Sequence, residues 1–399
     1  MDKLIYLDNA ATTRTRPEVA EAMAPYFSEY YGNPSSFYTL AHKSAAAIKE
    51  ARDIIVESIG AQKYDDPEKY DVYFTAGGTE ADNWALIATA EAYQDKGKHI
   101  ITSAVEHHAV LHSCQYLEKR GFEVTYVGVD KDGIIKLDEL EKAIREDTIL
   151  ISVMFANNEI GTLQPVKEIG AIAKEHGVLF HTDAVQAYCQ VPIDVDKMNI
   201  DMMSASAHKL YGPKGIGFLY IRKGIKTKSF IHGGAQERGR RAGTENVPGI
   251  VGFGKAVEIA LANMEQRAKE EMELRDHLIK RVTTEIEEVS LNGCQKSRLP
   301  GNTNFSVRFV ESESLLLDLM SKGICASSGS ACTTKSLDPS HVLLACGISH
   351  ERANGSLRMT IGAYNTKEEI DYTVDCLKEI VKRIRGLSPL YEDYLKKNK

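Results

Sequence analysis

Five short β-rich runs in this chain each end on a residue that can handle a phosphate, a ring or a proton. Gly77-Gly78-Thr79 follows the first and opens a helix, and Glu106-His107-His108 follows the second. Asn157-Asn158 follows the third, His181, Asp183 and Gln186 close the fourth, and His208-Lys209 follows the fifth. Singly these are ordinary: a turn, two surface histidines without further metal ligands, a capping Asp, a solvated amine. Together they specify one chemistry. A glycine-rich helix start offers free N–H groups to a phosphate. A carboxylate at the end of a buried strand can hold a protonated ring nitrogen, a histidine can stack on the ring, and a lysine can form a Schiff base. Those are the demands of pyridoxal phosphate. A sixth stretch stands apart: Cys332 lies in "CASSGSACTT" (325–334), a run without periodicity that reads as flexible loop. A thiol wanted only for packing would lie among apolar side chains.

The elements that must position these groups alternate. Strands are predicted at 71–76, 99–105, 122–129, 148–156, 177–184, 201–207 and 215–221, several almost continuously apolar, as strands covered on both faces are. Helical patterns fill the gaps, among them 79–97 and 166–177. The alternation predicts an α/β unit with a mostly parallel sheet, whose ligands bind beyond the carboxyl ends of the strands. Near 260 the texture changes to a long charged amphipathic pattern over 256–289, then mixed elements, the cysteine loop, and a closing helix over 367–387.

Composition narrows the partners. The chain has 399 residues, 43% hydrophobic, with a formal charge of −7. That balance carries no electrostatic footprint for nucleic acid or for an anionic membrane. The start has no signal-peptide core, and the longest apolar runs are far too short to span a bilayer. A soluble, cytoplasmic protein is expected. Seven scattered cysteines without a C-x-x-C argue against a disulfide framework or a zinc ribbon, and no metal is expected.

End to end, the chain resembles the cysteine desulfurases of the NifS/IscS type. The resemblance is carried by "YLDNAATT" (6–13), "GNPSS" (32–36), "GGTEADN" (77–83), "EHHAV" (106–110), "NNEIGT" (157–162), "HTDAVQA" (181–187), "SASAHKLYGPKGIG" (204–217), "RRAGTEN" (240–246), "SSGSACTT" (327–334) and "LRMTIG" (357–362). It implies the class V aminotransferase family and a pyridoxal-phosphate fold of type I, similar to aspartate aminotransferase. In that fold a large domain (17–260) with a mostly parallel seven-stranded sheet is joined by a smaller α+β domain. The small domain comprises 1–16 and 261–399 and carries the cysteine loop (about 323–338).

The resemblance also implies roles. Lys209 forms the Schiff base and moves the proton; Asp183 pairs with the ring nitrogen; Gln186 hydrogen-bonds the ring oxygen; His107 stacks on the ring. Gly78, Thr79, Ser206 and His208 bind the phosphate, and Asn158 contacts cofactor or substrate. Thr244 reaches the phosphate of a second subunit, which implies a homodimer. Asn33 and Arg358 hold the carboxylate of L-cysteine, a task that suits a guanidinium. Cys332 captures the sulfur as a persulfide, alanine leaves, and a scaffold protein of iron–sulfur assembly or another thio-cofactor pathway receives the sulfur. The alternatives are a selenocysteine lyase, another lyase or an aminotransferase on the same fold, and a non-catalytic relative, whose sign would be loss of Lys209, Asp183 or Cys332. Two departures from the family pattern stand out: Tyr38 and Ala41 after "NPSS", and His108 beside His107. Cys325 has no assigned role.

Overall fold

The computed structural model describes residues 4–63, 71–329 and 339–397. Twelve strands fall within them. They are β1 (Ile5–Tyr6), β2 (Val72–Thr75), β3 (His99–Ser103), β4 (Glu123–Val127), β5 (Thr148–Ser152), β6 (Leu179–Asp183), β7 (Met202–Ser206), β8 (Gly217–Ile221), β9 (Val289–Leu291), β10 (Asn302–Val307), β11 (Ile324–Cys325) and β12 (Ser356–Thr360). Seven form one sheet in the order β2-β8-β7-β6-β5-β3-β4, parallel except for β8, which runs against both its neighbours. Every residue of β2, β3, β5, β7 and β8 is buried. The continuous apolar runs follow from that two-sided cover, because neither face of these strands meets water.

One face packs against helices Thr39–Ser58 and Val247–Ala262 through Ile55, Phe180, Phe218 and Phe253. The other is covered by helix His108–Glu118 and the segment around Trp84, which is fully buried edge-on to Tyr73 at 5.4 Å. Helix 79–97 of the sequence reading exists, but in three pieces: Gly78–Asn83, a π-helical turn over Trp84–Ala88, and Thr89–Tyr93. The widened turn sits where the large indole enters the core, a place such insertions mark in other helices.

The single helix expected over 256–289 is corrected. Helix Val247–Ala262 ends at Asn263 (φ −126°, ψ 14°), and helix Met264–Glu285 departs at 73°. The first is an apolar core helix and the second a charged surface helix. Amphipathic periodicity persists across the join, so the pattern alone hides the bend. No single described helix is long and apolar enough to cross a membrane.

A second core gathers Leu278, Phe305, Leu357 and Leu377 around the antiparallel order β12-β10-β9. Helix Lys367–Arg385 covers it and begins with a capping box, Thr366 and Glu369 each bonding the other's backbone N–H. β1 pairs in parallel with β11, and Asp8 bridges to Thr360. From there residues 9–13 cross to the large sheet, where Thr13 donates its amide and hydroxyl to the His208 carbonyl, both at 2.9 Å. This crossing strap lays the carbonyls of Ala10 and Ala11 over the carboxyl ends of β6 and β7.

Candidate active site

A cavity of about 310 Å³ opens at those strand ends. It is lined by Gly78, Thr79, His107, Asn158, Asp183, Gln186, Ser206, His208, Lys209 and Arg358, ten of the sequence-singled residues, drawn from six separate segments. Asn33 and Thr244 are exposed and lie outside the lining, Asn33 accepting from the Ser35 amide at 3.0 Å. Cys332 lies outside the described residues. The described chain reaches the cavity wall at Gly329, three positions before it.

Each wall has a local cause. Gly77 turns with φ 155°, a conformation glycine adopts without a Cβ penalty, and a Cβ on Gly78 would stand 2.5 Å from Val185 Cγ2. Both positions therefore let backbone N–H groups close on the site at the helix start, with Ser206 beside them at the end of β7. That cradle has the chemistry of a phosphate seat. Opposite, His107 is the N-cap of helix His108–Glu118, its Nδ1 accepting from the Ala109 amide at 3.1 Å. This leaves the proton on Nε2. Burial, then the nearby Lys209 cation, pulls its pKa down to about 4, so the ring is neutral at pH 7.

Asp183 ends β6, 5% exposed, with Oδ1 accepting from the Val185 amide at 2.9 Å. Burial pushes its pKa above the usual carboxylate range, while the Val185 amide and Lys209 pull the other way. Lys209 Nζ donates to the carbonyls of Ala10 at 2.5 Å and Ala11 at 2.7 Å, and Gln186 Nε2 donates to Ala10 at 3.0 Å. The strap thereby aims the amine into the cavity. His208, whose pKa burial and then Lys209 pull down to about 4, meets Thr12 Oγ1 at 3.1 Å. Arg358 is 3% exposed: Nη1 donates to the Asn158 carbonyl at 3.0 Å and Nη2 to Asp8 at 2.8 Å. Its Nε is buried and has no partner among the described residues. An unsatisfied guanidinium edge on a cavity wall is suited to an incoming carboxylate.

The residues fit a planar phosphorylated ring: an anion cradle at one end, a buried carboxylate for a ring nitrogen, an imidazole on the wall, and an amine within reach. Two groups escaped the sequence reading. Asp8 clamps Arg358, and Asp82 lies behind Asp183, buried at 1% exposure. A signal for Asp82 existed, because Ala81, Trp84 and Ala85 around it make an apolar helix face that a charged residue interrupts. Four of the other described thiols are poorly poised as nucleophiles. Burial raises the pKa of Cys189 and Cys346 to about 12 and raises those of Cys114 and Cys325 as well, Cys325 also through Asp8.

Residues 5–373 match the family model of the aminotransferase class-V proteins. A relative from Methanosarcina thermophila, the cysteine desulfurase IscS, is 56% identical over 389 residues, covering 98% of this chain and 95% of its own. The solved structure of a NifS-like protein superposes with a TM-score of 0.88 at 38% identity, over 95% of this chain and all of the other. That of SspA in complex with cysteine superposes with a TM-score of 0.80 at 38% identity, over 91% of this chain and all of the other. The chain belongs to the class-V aminotransferase family, among the NifS/IscS-type cysteine desulfurases, and has their α/β fold.

Proposed function

We propose that the chain is a cysteine desulfurase that uses pyridoxal phosphate to convert L-cysteine to L-alanine and keeps the sulfur as a persulfide on Cys332. The observation that carries this reading is the convergence of Lys209, Asp183, His107 and Arg358 on one cavity beside a glycine cradle. Bound there, pyridoxal phosphate supplies an electron sink for the charge left when Cα of cysteine loses its proton.

The chain's own residues supply the rest. The amides at Gly78 and Thr79, with Ser206 and His208, seat the phosphate. Asp183 holds a proton on the ring nitrogen, the role a buried strand-end carboxylate suits once a cation faces it. Gln186 and Asn158 fix the ring's edge, and neutral His107 packs on its face. Lys209 Nζ, released from the Ala10 and Ala11 carbonyls, takes the Cα proton and returns it to the carbon skeleton. Arg358 holds the substrate carboxylate, with Asp8 and the Asn158 carbonyl keeping the guanidinium in plane. The Cys332 thiolate forms an S–S bond to the substrate sulfur while the substrate's C–S bond breaks, the bonding pair staying on the carbon that becomes the alanine methyl. His107 Nε2, which carries the ring's proton, is suited to give that proton to the methyl carbon and to be recharged by a thiol.

Thr244 and Asn33, outside this cavity, are assigned to a shared site in a homodimer, Thr244 reaching the partner's phosphate. Support comes from the exposed apolar side chains Phe27, Tyr31 and Phe37, at 67%, 70% and 98%, which a second copy would cover. The persulfide passes to a sulfur-acceptor scaffold protein in the cytoplasm. Residues 17–260 act as the cofactor-binding domain, and 1–16 with 261–399 as the domain that presents Cys332.

The test compares the parent with Cys332→Ala, each with pyridoxal phosphate, L-cysteine and a reductant, measuring alanine and sulfide. Equal alanine and sulfide from the parent, and neither from a variant that still binds cofactor, is the expected result. Sulfide from the variant would make elimination, as in a lyase, the better reading.

A further inference from the structure

Behind Asp183 the cavity floor holds a second carboxyl to which the chemistry above gives no task. Asp82 is 1% exposed, and its Oδ1 is buried without a hydrogen-bond partner among the described residues. Ligand atoms of Asp82, Asp183 and His107 all lie within 4.8 Å of one another. Two buried carboxylates that close cannot both stay ionised without a cation, and an ionised oxygen with no donor is costly.

The neighbours supply no such cation to Asp82. His181 Nε2 lies 3.8 Å from Asp82 Oδ1, but its ring is already committed: Nδ1 meets Ser152 Oγ at 2.8 Å and Nε2 meets Ser204 Oγ at 3.0 Å. Complete burial pulls its pKa down to about 3, so it is neutral. Ser204 in turn bonds Asp82 from β7. His107 is neutral, as shown above. Glu106, at the end of β3, adds a third buried acid, taking donors from Ser103 and the Met154 amide, and burial raises its pKa to about 8. Of the two cations among the residues lining the cavity, Arg358 is paired with Asp8 and Lys209 acts on Asp183. The ordered chain Ser152–His181–Ser204–Asp82 thus satisfies one side of the Asp82 carboxyl and leaves Oδ1 with no donor among the described residues. Protonated, that oxygen becomes a donor, and the Asp183 carboxylate, with an oxygen within 4.8 Å of the Asp82 carboxyl, is an acceptor of matching chemistry.

We propose that Asp82 is a positioning residue for Asp183, kept as the neutral acid and donating its proton toward the Asp183 carboxylate, so that the pair offers a single negative charge to the ring nitrogen of the cofactor. Asp82 touches neither substrate nor reacting atoms. It acts through Asp183, holding that carboxylate in its rotamer and preventing a second charge from building up beneath the ring. The inference rests on the pyridoxal phosphate reading but not on sulfur transfer.

The test uses the full chain, first as apoenzyme and then loaded with pyridoxal phosphate. The infrared difference between parent and Asp82→Asn apoenzyme at pH 7 is expected to show loss of a protonated-carboxyl C=O stretch. Loss of a carboxylate band instead overturns the proposal. Cofactor affinity and the pH dependence of the bound cofactor's visible absorbance provide the second readout. The Asn amide is neutral and still donates, so Asp82→Asn is expected to bind within about two-fold of the parent. Asp82→Ala, which cannot donate, is expected to weaken binding by about ten-fold or more and to shift the spectral titration. Equal weakening in both variants would mean that a charge was lost, and no weakening in either would mean that Asp82 positions nothing. Both results overturn the proposal. A parent that fails to bind pyridoxal phosphate would sink the functional reading instead, while the infrared result would still decide the state of Asp82. That infrared arm also stands if the Ala variant does not fold.

Discussion

Two buried arginine–acid regions in this protein have opposite character. Beside β2, Arg52 and Glu237 form a closed fork, with Nη2 to Oε1 at 2.7 Å, Nη1 to Oε2 at 2.9 Å, and the Phe74 amide adding a third donor at 2.9 Å. Both arms of that fork are paired, and Arg52 holds the Glu237 carboxyl below its usual range against the cost of burial. In the cavity Arg358 has one carboxylate contact and an Nε–H with no partner among the described residues, while of the buried acids Asp82, Asp183 and Glu106 only Asp183 is drawn down by a cation, Lys209. The first pair already satisfies both of its forks, which suits it to holding structure. The second is incomplete in the ways a cofactor and a carboxylate substrate would complete it.

That contrast can be broken by experiment. The largest effect is expected at Lys209: Lys209→Ala should lower alanine formation by about 10⁴-fold while leaving the melting temperature close to the parent's, because it removes acid–base chemistry and little packing. The complementary change is Glu237→Gln, which leaves the Arg52 charge buried and unpaired. It should cost about 3–5 kcal/mol in denaturant unfolding and leave the absorbance of bound cofactor unaltered. If Glu237→Gln changed the spectrum without loss of stability, the two regions would not be separable in this way.

The two regions should also differ in the sign of their pH response. Glu106 has a folded pKa raised from 4.5 to about 8, so the folded state binds the extra proton and its stabilising effect is lost as pH rises through that window. Glu237 has a depressed pKa, so its contribution is present at neutral pH and lost on acidification. Glu106→Gln should therefore flatten the apoenzyme's loss of stability between pH 4.5 and 8, by up to about 5 kcal/mol across the window. Glu237→Gln should leave that slope in place. The smallest effect is expected at Arg358. Arg358→Lys keeps the charge but not the fork, and should raise KM for L-cysteine about ten-fold with a smaller change in kcat. An unchanged KM would remove Arg358 from substrate binding.

Legibility followed the range of the forces involved. The strand cores at 99–103, 148–152 and 202–206 are readable because two-sided burial keeps Asp, Glu, Lys and Arg out of these short β-rich runs, and the helix start at Gly78 because a close approach demands glycine. The strand ends of Asp183 and Lys209 were readable for the same reason: in a parallel sheet the functional residues gather at one edge. The bend at Asn263 was not readable, since both flanking helices keep their amphipathic period through it. Asp8 and Asp82 were missed because their meaning lies in partners hundreds and about a hundred positions away, respectively Arg358 and Asp183.

The sequence by itself determined the alternation of elements, the family, and the set of side chains able to handle a phosphate, a ring and a proton, because each depends on composition and spacing along the chain. Only the tertiary structure decided which of them share a cavity, which acids lack a cation, and which guanidinium edge is left idle. Those properties are sums over neighbours from distant segments in a medium without water, and charge becomes costly or useful only once that medium exists.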